Sequence, residues 1–536
     1  VSVSTGHSSN NYVAGAEAVT PGQYLSYKKP NKNESTGKFE INDAGEYAYI
    51  VLKNYIDSKN GVSDANEYEV KNNIDLKGYE VAQIDTFKDK IDGNSKTLSN
   101  IVVGNKQLTE NGVVVVNESV GDDKFDRKYS MYINVTKDAE IRNAFYMGIG
   151  FVGYEKEDVE NSVRNIYVAP IAINNYGYLD RIFVQSDSLN ADSASLSGMV
   201  INNFGGISTS QVYAELAGRT VAGIAIYNKS ASADTVAAIT DSGFYGSVSA
   251  NVGEFIESQL SYIAGAGLVA ENIGNTAIIS NCEAIGSVTV TATELDALYA
   301  GGVVAINSGS ISRTYSGEYK RSDVSGRKNV IANGNNSYAG GFVAFNDTDG
   351  VITDAYATNR ATANRYVGGF VGLNKGRIES AYALGGTTRG GNNGAFAGEN
   401  TGTIEKAAAY SSDSWAQSEE YFTLIRQESQ LGSIIGILYP DEDKVMTLTE
   451  KEGFRYPIFT RKNYTKDYVV EMSPSQIPEV DGIAIIDGEM KDLDIVEEDI
   501  CGDRSKRGNK VVIILNYKGS STTVGNYVRL IYGRVR

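Results

Sequence analysis

Between Ala266 and Gly402 the apolar and polar positions repeat one phrase: two small residues, an apolar pair, an Asn, a Gly, an apolar residue and often a Tyr. The clearest copy is Gly368-Gly369-Phe370-Val371-Gly372-Leu373-Asn374-Lys375-Gly376-Arg377-Ile378, followed by Ala381-Tyr382. Sister copies begin at Gly340-Gly341-Phe342-Val343 and Gly301-Gly302-Val303-Val304. Within a copy, Phe370, Gly372 and Asn374 alternate with Gly369, Val371 and Leu373, the period-two signature of a strand. The Asn-x-Gly that follows is a turn signal, because both residues tolerate positive φ. The run 377–383 then reads as the next strand. Sustained helical spacing with caps is missing from this region.

The anchoring residues are Asn203, Asn228, Asn272, Asn307, Asn346, Asn374 and Asn400, at intervals of 25, 44, 35, 39, 28 and 26, with a fainter copy at Asn175. Constant anchors with variable intervals mean fixed strands separated by loops of different size. One such unit cannot bury its apolar face alone, so neighbours must stack. The fold class expected is all-β: a right-handed parallel β-helix, a solenoid in which Gly, Ala and Ser suit tight corners and Asn at equivalent turns can form side-chain ladders. A sandwich of antiparallel hairpins or a propeller is the alternative, but blades call for more regular spacing.

Flanking segments complete the outline. Residues 1–38, rich in Ser, Asn, Gly and Lys, read as a tail or linker. Asp43 with Glu46 forms a capping-box signal for a helix over about 44–58 that stops at Asn60-Gly61, giving a capping-helix region at 39–67. The solenoid is expected over 68–410, with irregular coils or an insertion at about 105–165. An end cap is expected over 411–472, because an exposed last coil is an open sheet edge. It includes a short helix at 419–425 and a closing phrase at 453–459. Pro474 and Pro478 mark a linker into a small C-terminal β module at 473–536, with strands at 482–486, 511–517 and 527–532.

The segments Asn73-Ile74-Asp75-Leu76, Ile91-Asp92-Gly93-Asn94 and Lys96-Thr97-Leu98-Ser99-Asn100-Ile101, with the Gly-Gly-Phe-Val-Gly-Leu-Asn copies, resemble bacterial surface β-helices with GLUG repeats. Similar segments occur in large adhesins of gut and oral bacteria, and in the non-catalytic N-terminal part of streptococcal immunoglobulin-A metallopeptidases. The resemblance covers about 68–410. It implies a scaffold, since such repeats serve proteins of different activities.

Composition narrows the function. With 49 Lys+Arg against 66 Asp+Glu the net charge is −17, which opposes phosphate-backbone binding, so nucleic acid is not an expected partner. No window supplies the apolar run of about 20 residues that a membrane helix needs, so membrane insertion is not expected. The start at Val1 rather than Met is expected of a processed or excised product. Cys282 and Cys501 read as two unrelated thiols, and the single histidine, His7, as incidental. That count leaves no His-Glu-x-x-His zinc site and no Ser-His-Asp triad in one chain.

A glycosidase needs two carboxylates about 5–9.5 Å apart. Asp180, Asp234, Asp241, Asp347, Asp349 and Asp354 lie near coil turns but share no recurring spacing. Asp347-Thr348-Asp349-Gly350 lacks the distal Glu of a calcium loop and reads as a turn. No catalytic, cofactor-binding or metal-ligating residue is assigned, and no cofactor. The 35 tyrosines are the remaining oddity; Tyr315, Tyr356 and Tyr382 share one register and are expected to stack. The expected function is a non-enzymatic extracellular bacterial surface protein: a stalk, fibre subunit or adhesin whose partners are host glycans or proteins, or like subunits. The alternative is a polysaccharide-degrading β-helix or an accessory segment of a surface peptidase.

Overall fold

The computed structural model describes residues 28–151 except 77–79, 109–113 and 117–125, and residues 165–459 except 233–234, 253–259, 294, 296, 318–327, 388–390, 415, 418, 441–444 and 448–455. It also describes strands Thr465–Met472 and Val511–Lys518. His7, Cys501, Asp234 and the expected strands at 482–486 and 527–532 lie outside the described residues.

The chain winds as a parallel β-solenoid. Each turn lays a strand beside the equivalent strand of the next turn, in register. The series Tyr132–Val135, Ala172–Asn175, Val200–Asn203, Ala225–Lys229, Val269–Ile273, Val304–Asn307, Val343–Asn346, Val371–Asn374 and Ala397–Asn400 forms one continuous parallel wall. Antiparallel pairing among the described strands is confined to the periphery, as where Asn31–Lys32 meets Phe39–Ile41 and Thr465–Met472 meets Val511–Lys518. That last pair contains the expected strand at 511–517.

The anchor asparagines build a ladder along the inside of this wall. Each Nδ2 donates to the Oδ1 of the next coil, from Asn175 through Asn203, Asn228, Asn272, Asn307, Asn346 and Asn374 to Asn400, at 2.7–2.8 Å. The nitrogens also donate to turn carbonyls, for example those of Gly309, Gly350 and Gly376, which fixes which end of each amide is which. All but the last are completely buried. Buried amides are tolerable because each finds its partner in the next coil. An outer ladder runs in the opposite sense: Asn202 donates to Asn174, and Asn174 to Asn134, at 2.9 Å.

A second column marks another corner. Asn143, Arg181, Thr209, Asp241, Asn281, Arg313, Asp354, Ser380 and Lys406 all have φ between 48° and 54°. One left-handed residue per coil bends the chain, within a strand as at Asp354 or between two strands as at Asp241. Asn and Asp accept this region readily, whereas β-branched Thr209 is strained there. Inside, Phe342, Phe370 and Phe396 stack at centroid spacings of 4.7 and 4.9 Å, and Phe422 closes the column at 5.9 Å.

The helix Ala44–Lys59 covers the first coil. Asp43 accepts from the Glu46 amide at 3.0 Å, and the Glu46 carboxylate accepts from the Asn42 amide at 2.7 Å. Asn60 is the C-cap and Gly61 has φ 63°, so the polar stop works as the sequence indicates. Tyr47, Ile50 and Val51 are buried, but Ile56 is exposed.

At the other end the expected short helix at 419–425 is absent. Glu419 bridges to Phe422, and Thr423–Ile425 extends the sheet because its register against Ala408–Tyr410 continues the stack. Helical turns come later, as Glu428–Ser433 and Ile434–Leu438. Ala416 and Phe422 join the end of the core, while Leu431, Leu438, Tyr456, Ile458 and Phe459 pack on the flank over Tyr315, Tyr356 and Tyr382. Those three tyrosines stack at 4.7 and 5.0 Å, as their shared register implies. The described part of the closing phrase, Tyr456, Ile458 and Phe459, therefore shields an aromatic side face.

Candidate binding surface

The Gly-Gly pairs of the repeat create the feature from which a surface site can be built. A Cβ on Gly301, Gly340, Gly368 or Gly394 would lie 1.7–1.9 Å from the carbonyl oxygen three residues on. Only hydrogen fits there, so the wall folds back on itself at this corner. Ala264, Ala266, Ala270 and Ala305, which belong to a cluster separate from the main core, are completely buried in the resulting crease. Strict alternation of facing breaks down at the corner: Phe370 and Val371, neighbours in sequence, both enter the main core.

The two lips of the crease carry aromatic side chains. On one lip Tyr299, Tyr338 and Tyr366 occupy equivalent positions of successive coils, with ring centroids 4.8 and 4.9 Å apart. On the other, Tyr227, Glu271, Ile306, Phe345 and Leu373 are equivalent. The lips touch. Tyr262 donates its hydroxyl to Glu271 at 2.7 Å, the Tyr299 and Phe345 rings lie 6.2 Å apart, and Asn392 bonds Glu399. Cations sit over the rings: Lys229 over Tyr227 at 5.0 Å, Arg365 over Tyr366 at 5.0 Å and Lys375 over Phe345 at 5.2 Å. The result is a half-exposed aromatic stripe running along the solenoid axis.

Burial and neighbouring charge raise several of the tyrosines around the crease. Burial, and then Glu271, pushes Tyr227 up to about 12; burial, and then Tyr338, does the same for Tyr299. Tyr262 is raised further, by burial and by Glu271. Burial also raises the Glu271 carboxyl, against the opposing Tyr262 hydroxyl and Lys229.

The carboxylates singled out from the sequence are not brought together. Asp180 accepts from Ser208 at 2.7 Å and pairs with Arg181 at 2.6 Å. Asp241 and Asp354 occupy the left-handed corner three coils apart, about 14 Å at the usual strand spacing. That exceeds the glycosidase range. Asp354 also accepts from Tyr439 at 2.7 Å, tying the flanking segment to the solenoid. Asp347 caps the Thr348 amide in a turn closed by Gly350, and Asp349 lies in the same turn. Cys282 is fully buried, and burial raises its thiol, so it is poorly suited to nucleophilic work. Among the described residues no group of three or more His, Cys, Asp or Glu is placed to hold a metal. No described helix is long and apolar enough to cross a membrane.

The stripe tyrosines are not singled out by a search for titratable clusters. Their signal is nevertheless in the sequence: Tyr299-Ala300-Gly301-Gly302, Tyr338-Ala339-Gly340-Gly341 and Tyr366-Val367-Gly368-Gly369 share one Tyr-x-Gly-Gly spacing. The Tyr338 copy, its Gly-Gly corner and its ladder residue Asn346 fall in 335–362, the span that matches a known family model. That span is a GLUG motif. The other coils repeat its geometry, so the chain is a parallel β-solenoid carrying a GLUG repeat. A crystal structure described as a "putative immunoglobulin A1 protease" from Bacteroides ovatus is similar at 15% identity and a TM-score of 0.32, over 81% of this chain and 95% of that one. No curated protein matches the chain.

Proposed function

We propose that this chain is a non-enzymatic extracellular bacterial scaffold whose GLUG solenoid displays the aromatic stripe to a host polypeptide. One observation carries the reading: Tyr299, Tyr338 and Tyr366, in register on a stiff parallel wall, half-exposed and edged by Arg365 and Lys375. Tyrosine held by packing supplies contact area at low entropic cost. A protein ligand is favoured over a glycan because the tyrosine faces are already used. Each ring stacks on its neighbour, and Arg365 lies over Tyr366, so mainly edges and hydroxyls face outward. Stacking a sugar ring would need a free face. The scatter of Asp180, Asp241 and Asp354 supports the non-enzymatic part of the proposal.

The test is binding of host extracellular-matrix and mucosal proteins, and of a glycan array, by the native chain and a Tyr338→Ser/Tyr366→Ser variant. Saturable protein binding that weakens tenfold or more in the variant is expected, with circular dichroism unchanged. Glycan binding lost in the variant would replace the polypeptide with a sugar ligand. Equal binding by both chains would remove the stripe from the function. Labelling of intact cells with a membrane-impermeant reagent tests the extracellular placement.

A further inference from the structure

The capping helix does not seal completely onto the first coil. Between Asn54, Tyr55 and Ser58 of the helix and Gln83, Asp85 and Thr86 of the strand Glu80–Phe87 lies a cavity of about 80 Å3. Three side chains lining it carry buried polar atoms without a hydrogen-bond partner among the described residues: Asn54 Oδ1, Tyr55 Oη and Gln83 Oε1. Asn54 is 5% exposed and Gln83 2%.

The amide orientations are fixed by what the nitrogens do. Asn54 Nδ2 donates to the Ile50 carbonyl at 3.1 Å and to Asp89 Oδ2 at 2.9 Å; Gln83 Nε2 donates to the Lys128 carbonyl at 2.7 Å. Flipping either amide would set oxygen against oxygen, so both carbonyl oxygens are left as bare acceptors. Unpaired buried acceptors are rare in a folded protein and point to an occupant. Lys59 holds its ammonium over the Tyr55 ring, 5.7 Å from the centroid, and bonds none of the three atoms. At the mouth, exposed Asp85 adds a carboxylate and Thr86 a hydroxyl.

We propose that this cavity binds a hard divalent cation, calcium, through the amide oxygens of Asn54 and Gln83 and the carboxylate of Asp85, with water completing the shell. Neutral carbonyl oxygens, a carboxylate and water are the ligands this ion takes, and the cavity is large enough to leave it partly hydrated. A single carboxylate makes the site weak, in the range of about 10⁻⁴–10⁻³ M typical of extracellular modules. By bridging helix and strand, the ion would fasten the cap to the first coil.

Terbium(III) is the probe, because Tyr55 stands at the site to sensitise its emission. Excitation of tyrosine in the full chain should give saturable terbium emission that calcium displaces at millimolar concentration. Asp85→Asn, an exposed change, should weaken terbium binding at least tenfold, and Tyr55→Phe should cut emission without moving the calcium midpoint. Calcium should also raise the melting temperature of the native chain, but not of Asp85→Asn, at constant ionic strength. Emission that does not saturate, or that is equal in Asp85→Asn, would overturn the proposal, as would melting indifferent to calcium; ordered water would then be the occupant.

Discussion

At the scale of single residues, the chemistry of this solenoid is set by burial rather than by clusters of charge. Glu271 is the clearest case. Burial holds its carboxyl above the ordinary range, so the native state retains the proton more readily than the unfolded chain. The resulting stability is complete below the unfolded-state value, about 4.3, and is lost as pH rises through the folded value. Glu271→Gln keeps an acceptor for Tyr262 and removes the titration. The variant is therefore expected to gain on the native chain as pH rises from about 4 to 7, and to be the more stable at neutrality. Urea denaturation across that range checks it, and a pH-independent difference would show that the carboxyl is not coupled to folding. The sequence displays Glu271 without its environment, because the groups around it arrive by folding: Tyr262 across the crease of the same coil and Tyr227 from the coil before. The anchor asparagines, by contrast, are legible: the turn chemistry that places them and the ladder that satisfies them follow from one repeated position.

At the scale of the element, the unit is a strand, a crease and a strand. Period-two alternation locates the strands but not the crease. An outward Gly or Ala buried in a fold of the wall looks, in sequence, like an inward Gly or Ala at a core corner. Phe370 and Val371 both enter the core for this reason. The distinction becomes physical in the Cβ that Gly340 lacks, which would sit 1.8 Å from the Val343 carbonyl oxygen. Gly340→Ala must pry the lips apart, at a cost of about 3 kcal/mol by the scale of overpacked cores. It should also spoil the approach of Tyr299 to Phe345. A fall in denaturation midpoint checks the first effect; an unchanged midpoint would mean that the crease is not closed in solution. The capping helix was legible from Asp43 to Gly61 because its signals are local. The flank over Tyr315, Tyr356 and Tyr382 was not, since Leu431, Leu438, Tyr456, Ile458 and Phe459 reach it only through tertiary packing.

At the scale of the whole molecule, each coil touches mainly the coils before and after it, so stability should add along the axis. Deleting residues 204–228 removes one full interval of the ladder and joins Asn203 to Lys229, bringing Asn203 opposite Asn272. The shortened chain is expected to keep its β-rich circular dichroism and a cooperative melt, lowered by a few degrees. Collapse to an unfolded chain would show that the coils are not interchangeable. The same additivity explains why intervals from 25 to 44 residues coexist on one axis. Loop length changes the cost of closure only slowly.

The inner asparagine ladder has one further property. All seven amide bonds point the same way, starting from an Oδ1 at Asn175 that has no partner among the described residues and ending at Asn400. Reversing one amide in the middle would break the bonds on both sides of it, a penalty of about 2 kcal/mol or more when each buried bond is worth about 1. Thermal energy, about 0.6 kcal/mol, populates such a fault only sparsely at any site. The column therefore behaves like a row of aligned spins, each also held by the turn carbonyl beside it. Its direction is set twice over, by the neighbouring amides and by the turn carbonyls, so one substitution such as Asn307→Leu would break two ladder bonds yet leave both remaining segments polarised in the same sense.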